Sequence, residues 1–110
     1  MEKINLIEIS NNSRELNVQE VKQLLSYDRT VFWSWGAQNF VNYGNKILKF
    51  KVNGHHHKGN VFISLNGNDL FDVVLTSIQN NIKEQIKDIY FDDLVAILDT
   101  KIEKIKEYVR

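Results

Sequence analysis

A glycine-bracketed histidine triplet lies near the middle of the chain, between two runs in which apolar and polar residues alternate, Lys46 to Asn53 and Gly59 to Asn66. Alternation with a period of two is typical of strands that bury one face, so the two runs predict an antiparallel β-hairpin. The apolar positions that would face the core are Leu48, Phe50, Val52, Val61, Ile63 and Leu65. The rest of the fold has to be arranged around this hairpin.

The alternation also predicts how the two strands pair. A shift of one residue would turn the two lysines of the first run into the core, so the register is strongly specified. The two apolar rows share one face only when an even-numbered residue of the first run lies opposite an odd-numbered residue of the second. This condition predicts Phe50 opposite Val61 and Leu48 opposite Ile63.

Further strands are predicted on both sides of the hairpin. Thr30 to Gly36 is rich in β-branched and aromatic residues and predicts a strand, with Trp33 and Trp35 facing the core. After an Asn-Gly turn, Leu70 to Ile78 predicts another strand. Residues 82–86 fit either a strand or a helix, so we expect four or five antiparallel strands.

Two helices are predicted at the two ends of this sheet. Asn17 to Tyr27 has apolar residues at helical spacing, and Asn17 with Glu20 resembles a capping box. Phe91 to Glu107 predicts a longer helix, with Asp92 and Asp93 in its first turn, where the helix dipole favours negative charge.

The predicted fold class is α+β: a short N-terminal helix, an antiparallel meander of four or five strands, and a long C-terminal helix. Each helix has one apolar stripe and the sheet has one apolar face, so both helices are expected on the same side. A chain of 110 residues is expected to form one domain. The first ten residues predict only a short strand or a docked arm.

Charge is distributed unevenly along the chain, although its formal net charge is zero. Residues 29–68 contain five basic and no acidic residues, and residues 69–99 contain two basic and seven acidic ones. Opposite charges placed in this way either pair inside the fold or present one signed face to a partner. The sequence leaves both possibilities open.

The outer face of the hairpin is the predicted partner-binding surface, because the register places an aromatic ring there beside lysines. Its candidate residues are Lys49, Lys51, Phe62, Arg29, Lys46 and Lys58. Cations combined with an aromatic ring are used by sheets that bind single-stranded nucleic acid. The same surface also suits contact with a protein, which we rank above direct contact with nucleic acid.

The histidine triplet predicts an exposed loop at the tip of the hairpin. In extended geometry, His55 and His57 would share a side and could hold a divalent ion through their imidazoles. A closed zinc site needs four ligands, however, and the hairpin contains no Cys, Asp or Glu to complete it. We therefore predict no metal, with a metal-binding hairpin as an alternative.

The sequence contains no recognisable catalytic constellation. Cysteine is absent, Ser34 lies in no strained turn of the kind that presents a nucleophile, and no phosphate loop or dinucleotide fingerprint is present. Asp92 and Asp93 are explained by a helix start and Asp69 by a turn. The prediction is a protein that is no enzyme and has no cofactor.

The sequence also predicts no association with membranes. Charges interrupt the apolar residues at the N-terminus, unlike in a signal peptide, and no apolar run approaches the roughly 20 residues of a membrane span. We expect a cytoplasmic protein.

Several segments resemble small, mostly uncharacterised proteins of phages and conjugative elements. Two of the segments are Asp69 to Leu75 and Trp33 to Gly36. A Tyr-x-Asp-x-Leu helix start lies at Tyr90 to Leu94, and a His-Lys-Gly-x-Val-x-Ile stretch runs from His57 to Ile63. Leu98 to Glu103 corresponds to an Ile-Asp-x-x-Ile-Glu pattern in those proteins. The resemblance covers Phe32 to Ile105. These motifs are structural and specify no activity.

The resemblance implies five strands, since the segment matching residues 82–86 tends to be a strand in those proteins. It also implies a non-enzymatic binding protein of a mobile genetic element, and one job of such proteins is to inhibit a host nucleic-acid-targeting nuclease, as anti-CRISPR proteins do. The alternatives are a single-stranded nucleic-acid-binding module and a metal-binding hairpin.

Overall fold

The structure, a computed structural model, describes residues 2–27 and 29–102. Its helices are α1 (Leu6–Asn11), α2 (Val18–Leu25), α3 (Arg29–Ser34) and α4 (Leu94–Ile102), with a 3-10 turn (Phe91–Asp93) just before α4. Its strands are β1 (Gln38–Tyr43), β2 (Ile47–Asn53), β3 (Lys58–Leu65), β4 (Phe71–Thr76) and β5 (Ile82–Ile89). The predicted α+β fold class is confirmed. None of these helices is long and apolar enough to cross a membrane.

The five strands form one antiparallel sheet in chain order, β1-β2-β3-β4-β5. The predicted meander is confirmed, and residues 82–86 belong to a strand. Strands β2 and β3 pair in the predicted register, with Phe50 opposite Val61 and Leu48 opposite Ile63. The alternation determines this pairing because any shift by one residue would bury lysines.

The main core lies on one side of the sheet, which we call the inner face. The strands of the hairpin and β4 contribute Leu48, Phe50, Val61, Ile63, Val73 and Leu75. Helix α2 adds Val21 and Leu25, and α4 adds Leu94, Leu98 and Ile102. Both helices predicted from the sequence therefore pack on the same side, as expected.

The starts of these two helices agree with the sequence signals. The side chain of Asn17 accepts a hydrogen bond of 3.1 Å from the backbone N–H of Glu20, so the predicted N-cap is confirmed. The 3-10 turn and α4 occupy the first part of the predicted helix from Phe91 to Glu107. Residues 103–107 of that prediction lie outside the described residues.

The prediction of a strand from Thr30 to Gly36 is wrong. Most of this segment forms α3, and the first strand begins only at Gln38. Phe32 lies in α3 and Trp35 lies in the turn directly after it, and their rings meet edge to face with centroids 5.9 Å apart. Packing of these rings on the core overrides the β-propensity of the segment, which is a weak preference.

Trp35 attaches this segment to the C-terminal helix. Its side chain is fully buried, and its indole Nε1–H donates a hydrogen bond of 3.0 Å to Oδ1 of the buried Asp99. Trp33 was predicted to face the core beside it, but Trp33 is 76% exposed. Residues two positions apart share a side in a strand and not in a helix. The prediction is confirmed for Trp35 and wrong for Trp33.

The N-terminal segment crosses the opposite side of the sheet, which we call the outer face. The backbone N–H of Ile4 donates to the carbonyl of Asn80 at 3.0 Å, and that of Ile82 donates to the carbonyl of Glu2 at 2.7 Å. These bonds attach the first residues to the start of β5. Of the two expectations for this segment, the docked arm is the one observed, and it continues into α1.

Candidate binding face

Three lysines lie together on the outer face of the β2–β3 hairpin. Lys49 is opposite Phe62 and Lys51 is opposite Asn60, while Lys58 precedes Asn60 by two positions on the same strand. Opposite residues in an antiparallel pair project to the same side, as do alternate residues along a strand. We call Lys49, Lys51 and Lys58 the lysine face.

The lysine face is not neutralised by the acidic segment that follows it. Arg14 pairs with Asp69 at 2.9 Å, and Lys101 pairs with Glu84 at 2.7 Å. No lysine of the lysine face has a carboxylate partner among residues 2–27 and 29–102. These three lysines therefore form no ion pair with an acidic side chain of the described chain.

The other two predicted cations are not part of this group. Lys46 lies before the opposite end of β2, where its Nζ donates a hydrogen bond of 3.0 Å to the backbone carbonyl of Ser13. Arg29 is exposed at the start of α3, outside the sheet. Of the five basic residues predicted for the surface, the structure brings only the lysine face together.

Phe62 lies on the predicted face, but its side chain is buried there. Its side chain is 2% exposed. It forms a small buried cluster with Ile47 and Val74. Three apolar residues of the N-terminal segment pack against this cluster: Ile4, Leu6 and Ile9. The outer face is therefore divided into a covered apolar part and the uncovered lysine face.

Lys49 connects the two parts of the outer face. Its Nζ lies 5.9 Å from the centroid of the Phe62 ring, within the range of a cation–π contact. Its direct neighbour on β1 is Val41, which is 38% exposed. The ammonium group therefore lies beside the covered ring while the lysine side chain stays partly open to solvent.

The histidine triplet is only partly an exposed loop. His55 and His56 are exposed, but His57 is 4% exposed. The Nε2 atom of His57 lies 3.2 Å from the backbone carbonyl of Asn60. Burial lowers the pKa of His57, and this effect outweighs the hydrogen bond to Asn60, which raises it. The side chain is thus favoured in its neutral form.

The backbone of the same turn binds α4. The N–H groups of His56 and His57 both point to the carbonyl of Ile102, at 2.8 and 3.3 Å. Gly54 packs against Ile102 so closely that a Cβ at this position would collide with its carbonyl oxygen. The expectation that His55 and His57 share an open side is wrong, because the turn is folded against the helix.

Asp69 and Asp72, at the turn before β4 and on β4, have structural partners. Asp69 has a φ of +61° in the turn after β3 and pairs with Arg14. Asp72 accepts hydrogen bonds of 3.0 Å from the Asn66 side chain and from the backbone N–H of Asp88. No group of three or more His, Cys, Asp or Glu side chains within the described ranges is arranged to hold a metal ion.

The sequence contained a signal for the covered part of the outer face. Ile47 and Val74 are apolar at positions that point outward, where strict alternation would place polar residues. Together with Phe62 they form an apolar row across three strands. Such a row requires a cover, and Ile4, Leu6 and Ile9 of the N-terminal segment pack against it together with Tyr43 and Ile82.

Comparisons with protein-family models, with curated proteins and with solved structures found no match to this chain. The resemblance to proteins of phages and conjugative elements therefore stays a prediction.

Proposed function

We propose that the chain is a non-enzymatic binding protein that contacts an acidic surface of a protein partner through the lysine face. The observation that supports this most is the grouping of Lys49, Lys51 and Lys58 on one face without a carboxylate partner in the described chain. Uncompensated cations of one sign attract a partner of the opposite sign and orient it.

A protein fits this surface better than a single-stranded nucleic acid does. Binding of single strands combines cations with exposed rings on which bases stack. In the folded chain Phe62, which would supply such a ring beside Lys49, is covered by the N-terminal segment. The cations remain accessible, and acidic side chains of a protein can pair with them without any stacking.

The partner class that we propose is a host nuclease that targets nucleic acids, and the protein would be its inhibitor. Nucleases of the two-metal type hold their ions with carboxylates. A cluster of carboxylates is a surface to which lysine ammonium groups are complementary. The resemblance to proteins of mobile elements favours the same partner, which would be met in the cytoplasm. An inhibitor that acts by occupying the nuclease's active site needs neither a catalytic group nor a cofactor.

The test is capture of partners from a bacterial lysate, with and without nuclease treatment, followed by assays with the purified partner. Three forms are compared: wild type, Lys49→Glu/Lys51→Glu, and Lys83→Glu/Lys87→Glu. The last is a matched control, because it makes the same charge change at exposed positions of β5, an edge strand that is not adjacent to β2 or β3.

We expect the wild type and the control to retain a nuclease after nucleic acid has been digested, and to inhibit it in a stoichiometric complex. The Lys49→Glu/Lys51→Glu form should lose both properties, because reversed charges repel an acidic surface. Capture that disappears on nuclease treatment would instead identify a nucleic-acid binder. A captured protein that binds all three forms equally would contradict the assignment of the lysine face.

A further inference from the structure

Helix α1 is an unusually weak cover for an apolar surface. It has only six residues, and none of them is buried. Isolated helices of this length are not stable in water, so α1 is helical only while it packs on the sheet. Its contact rests on Leu6 and Ile9, with Ile4 just before it, and all three remain partly exposed.

Two cavities lie where α1 meets β4 and β5, so its packing on the sheet is incomplete. One, of about 170 Å³, is bordered by Glu8 and Ile9 of the helix and by Val74 and Gln85 of the sheet. The other, of about 120 Å³, is bordered by the same four residues together with residues of the N-terminal arm. Glu8 borders both cavities.

The chain on either side of α1 is attached to the sheet by backbone hydrogen bonds. Ile4 is bound to Asn80 before the helix, and the N–H of Arg14 donates to the carbonyl of Leu65 at 2.8 Å after it. A helix rises about 1.5 Å per residue and an extended chain about 3.3 Å. Unwinding α1 therefore releases enough length for it to leave the sheet while both attachments stay in place.

We propose that α1 is a displaceable cover over a binding site for single-stranded nucleic acid. With α1 displaced, the Phe62 ring becomes a platform on which a base can stack, and Lys49, at 5.9 Å from its centroid, and Lys51 meet the neighbouring phosphates. Displacement of α1 also moves Glu8, with its negative charge, away from the sheet. This site shares Lys49 and Lys51 with the surface proposed for the protein partner. The protein binds the closed form and the nucleic acid binds the open form, so the two partners would compete.

Substitutions on the two sides of α1 test the cover directly. Leu6→Ser/Ile9→Ser weakens its docking, whereas Ile7→Ser makes the same kind of change at a side chain that is 76% exposed. The probe is a fluorescein-labelled oligothymidylate of about 20 nucleotides, long enough to exceed a typical single-strand site. Its anisotropy is measured at several salt concentrations, and near-ultraviolet circular dichroism confirms that the environment of the buried Trp35 is intact.

We expect Leu6→Ser/Ile9→Ser to bind the oligonucleotide at least about tenfold more tightly than wild type, because a larger fraction of molecules is open. The affinity should fall steeply with salt. Ile7→Ser should bind like wild type. Adding Phe62→Leu or Lys49→Gln to the open form should remove most of the gain. No gain in the folded double variant, an equal gain in Ile7→Ser, or a gain that survives both additions would overturn the proposal.

Hydrogen exchange on the unmodified chain gives an independent measurement if the double variant fails to fold. The N–H of Ile9 donates to Asn5 and that of Asn12 donates to Glu8 within the cover. A high concentration of the oligonucleotide should accelerate exchange at both amides and leave the amide of Asn53, which donates to Trp35, unchanged. Exchange at Ile9 and Asn12 that stays constant or slows would overturn the proposal.

Discussion

The two faces of the sheet differ in how extensively they are packed and covered. On the inner face, residues from β2, β3 and β4 pack against α2, α3 and α4 in one continuous core. On the outer face of the described chain, the buried apolar cluster consists of Ile47, Phe62 and Val74, and its cover includes one short helix, α1. The comparison indicates that the inner face determines the fold, while the outer face is left with a loose cover and uncompensated cations.

The largest difference between the faces is expected for Phe→Ala substitutions on the two strands of the hairpin. Phe50 is 0% exposed on the inner face and Phe62 is 2% exposed on the outer face. Phe50→Ala should lower the free energy of unfolding by about 4 kcal/mol, because the rigid core leaves a cavity. Phe62→Ala should lower it by about 2 kcal/mol, since a weakly held cover can collapse or leave. Urea denaturation measures both, and equal losses would contradict the comparison.

Two turns of the sheet also differ in how closely they are packed. Gly54 packs against α4, whereas nothing lies within 4 Å of a Cβ built at Gly67. Gly54→Ala should reduce the free energy of unfolding by about 2 kcal/mol, because the new methyl group forces the turn away from Ile102. Gly67→Ala, the matched control, should change it by less than about 0.5 kcal/mol. Thermal or urea denaturation distinguishes them, and a tolerated Gly54→Ala would show that the turn does not hold α4.

The two asparagine N-caps provide a finer comparison, because their local geometry is the same. Asn17 accepts from the N–H of Glu20 and Asn5 accepts from the N–H of Glu8, each at 3.1 Å. Asn17→Ala should reduce the global free energy of unfolding by about 1 kcal/mol, because α2 is part of the core. Asn5→Ala should leave the global value nearly unchanged and accelerate only local exchange at α1. Equal global losses would mean that α1 unfolds with the core.

The smallest expected effect is the pH dependence contributed by His57. Burial lowers its pKa in the folded state, with Lys83 acting in the same direction and Glu84 against it. Because the folded pKa lies below the unfolded value of about 6.5, the folded state is favoured at higher pH, and stability falls as the pH is lowered through about 6.5 and below. His57→Gln should flatten this part of the profile. An unchanged profile in His57→Gln would contradict the assignment.

The inner face could largely be predicted from the sequence, because its constraints are local. Lysines alternate with apolar residues in β2, and no other register keeps them out of the core. The helix around Asn17 was likewise predicted by its cap and its spacing. In both cases the residues that determine the structure lie in the same secondary-structure element or in neighbouring ones, so the sequence pattern is sufficient to predict it.

The errors have a common cause in contacts between distant parts of the chain. Trp35, directly after α3, donates a hydrogen bond to Asp99, 64 positions away, and no local pattern predicts this contact. The burial of Phe62 depends on Leu6 and Ile9, from an N-terminal segment that the sequence left open between a strand and an arm. Alternation identified the face on which Phe62 lies and could not show what covers that face.

The most direct test of the difference between the two faces is native-state hydrogen exchange at two backbone amides. The N–H of Ile9 donates to Asn5 inside α1, and the N–H of Asn53 donates to Trp35 at the end of β2. We predict that Ile9 exchanges at least about 100-fold faster than Asn53, through a local opening that low concentrations of urea do not affect. Equal protection of the two amides, with the same dependence on urea, would show that α1 opens only when the whole protein unfolds, and would contradict the account.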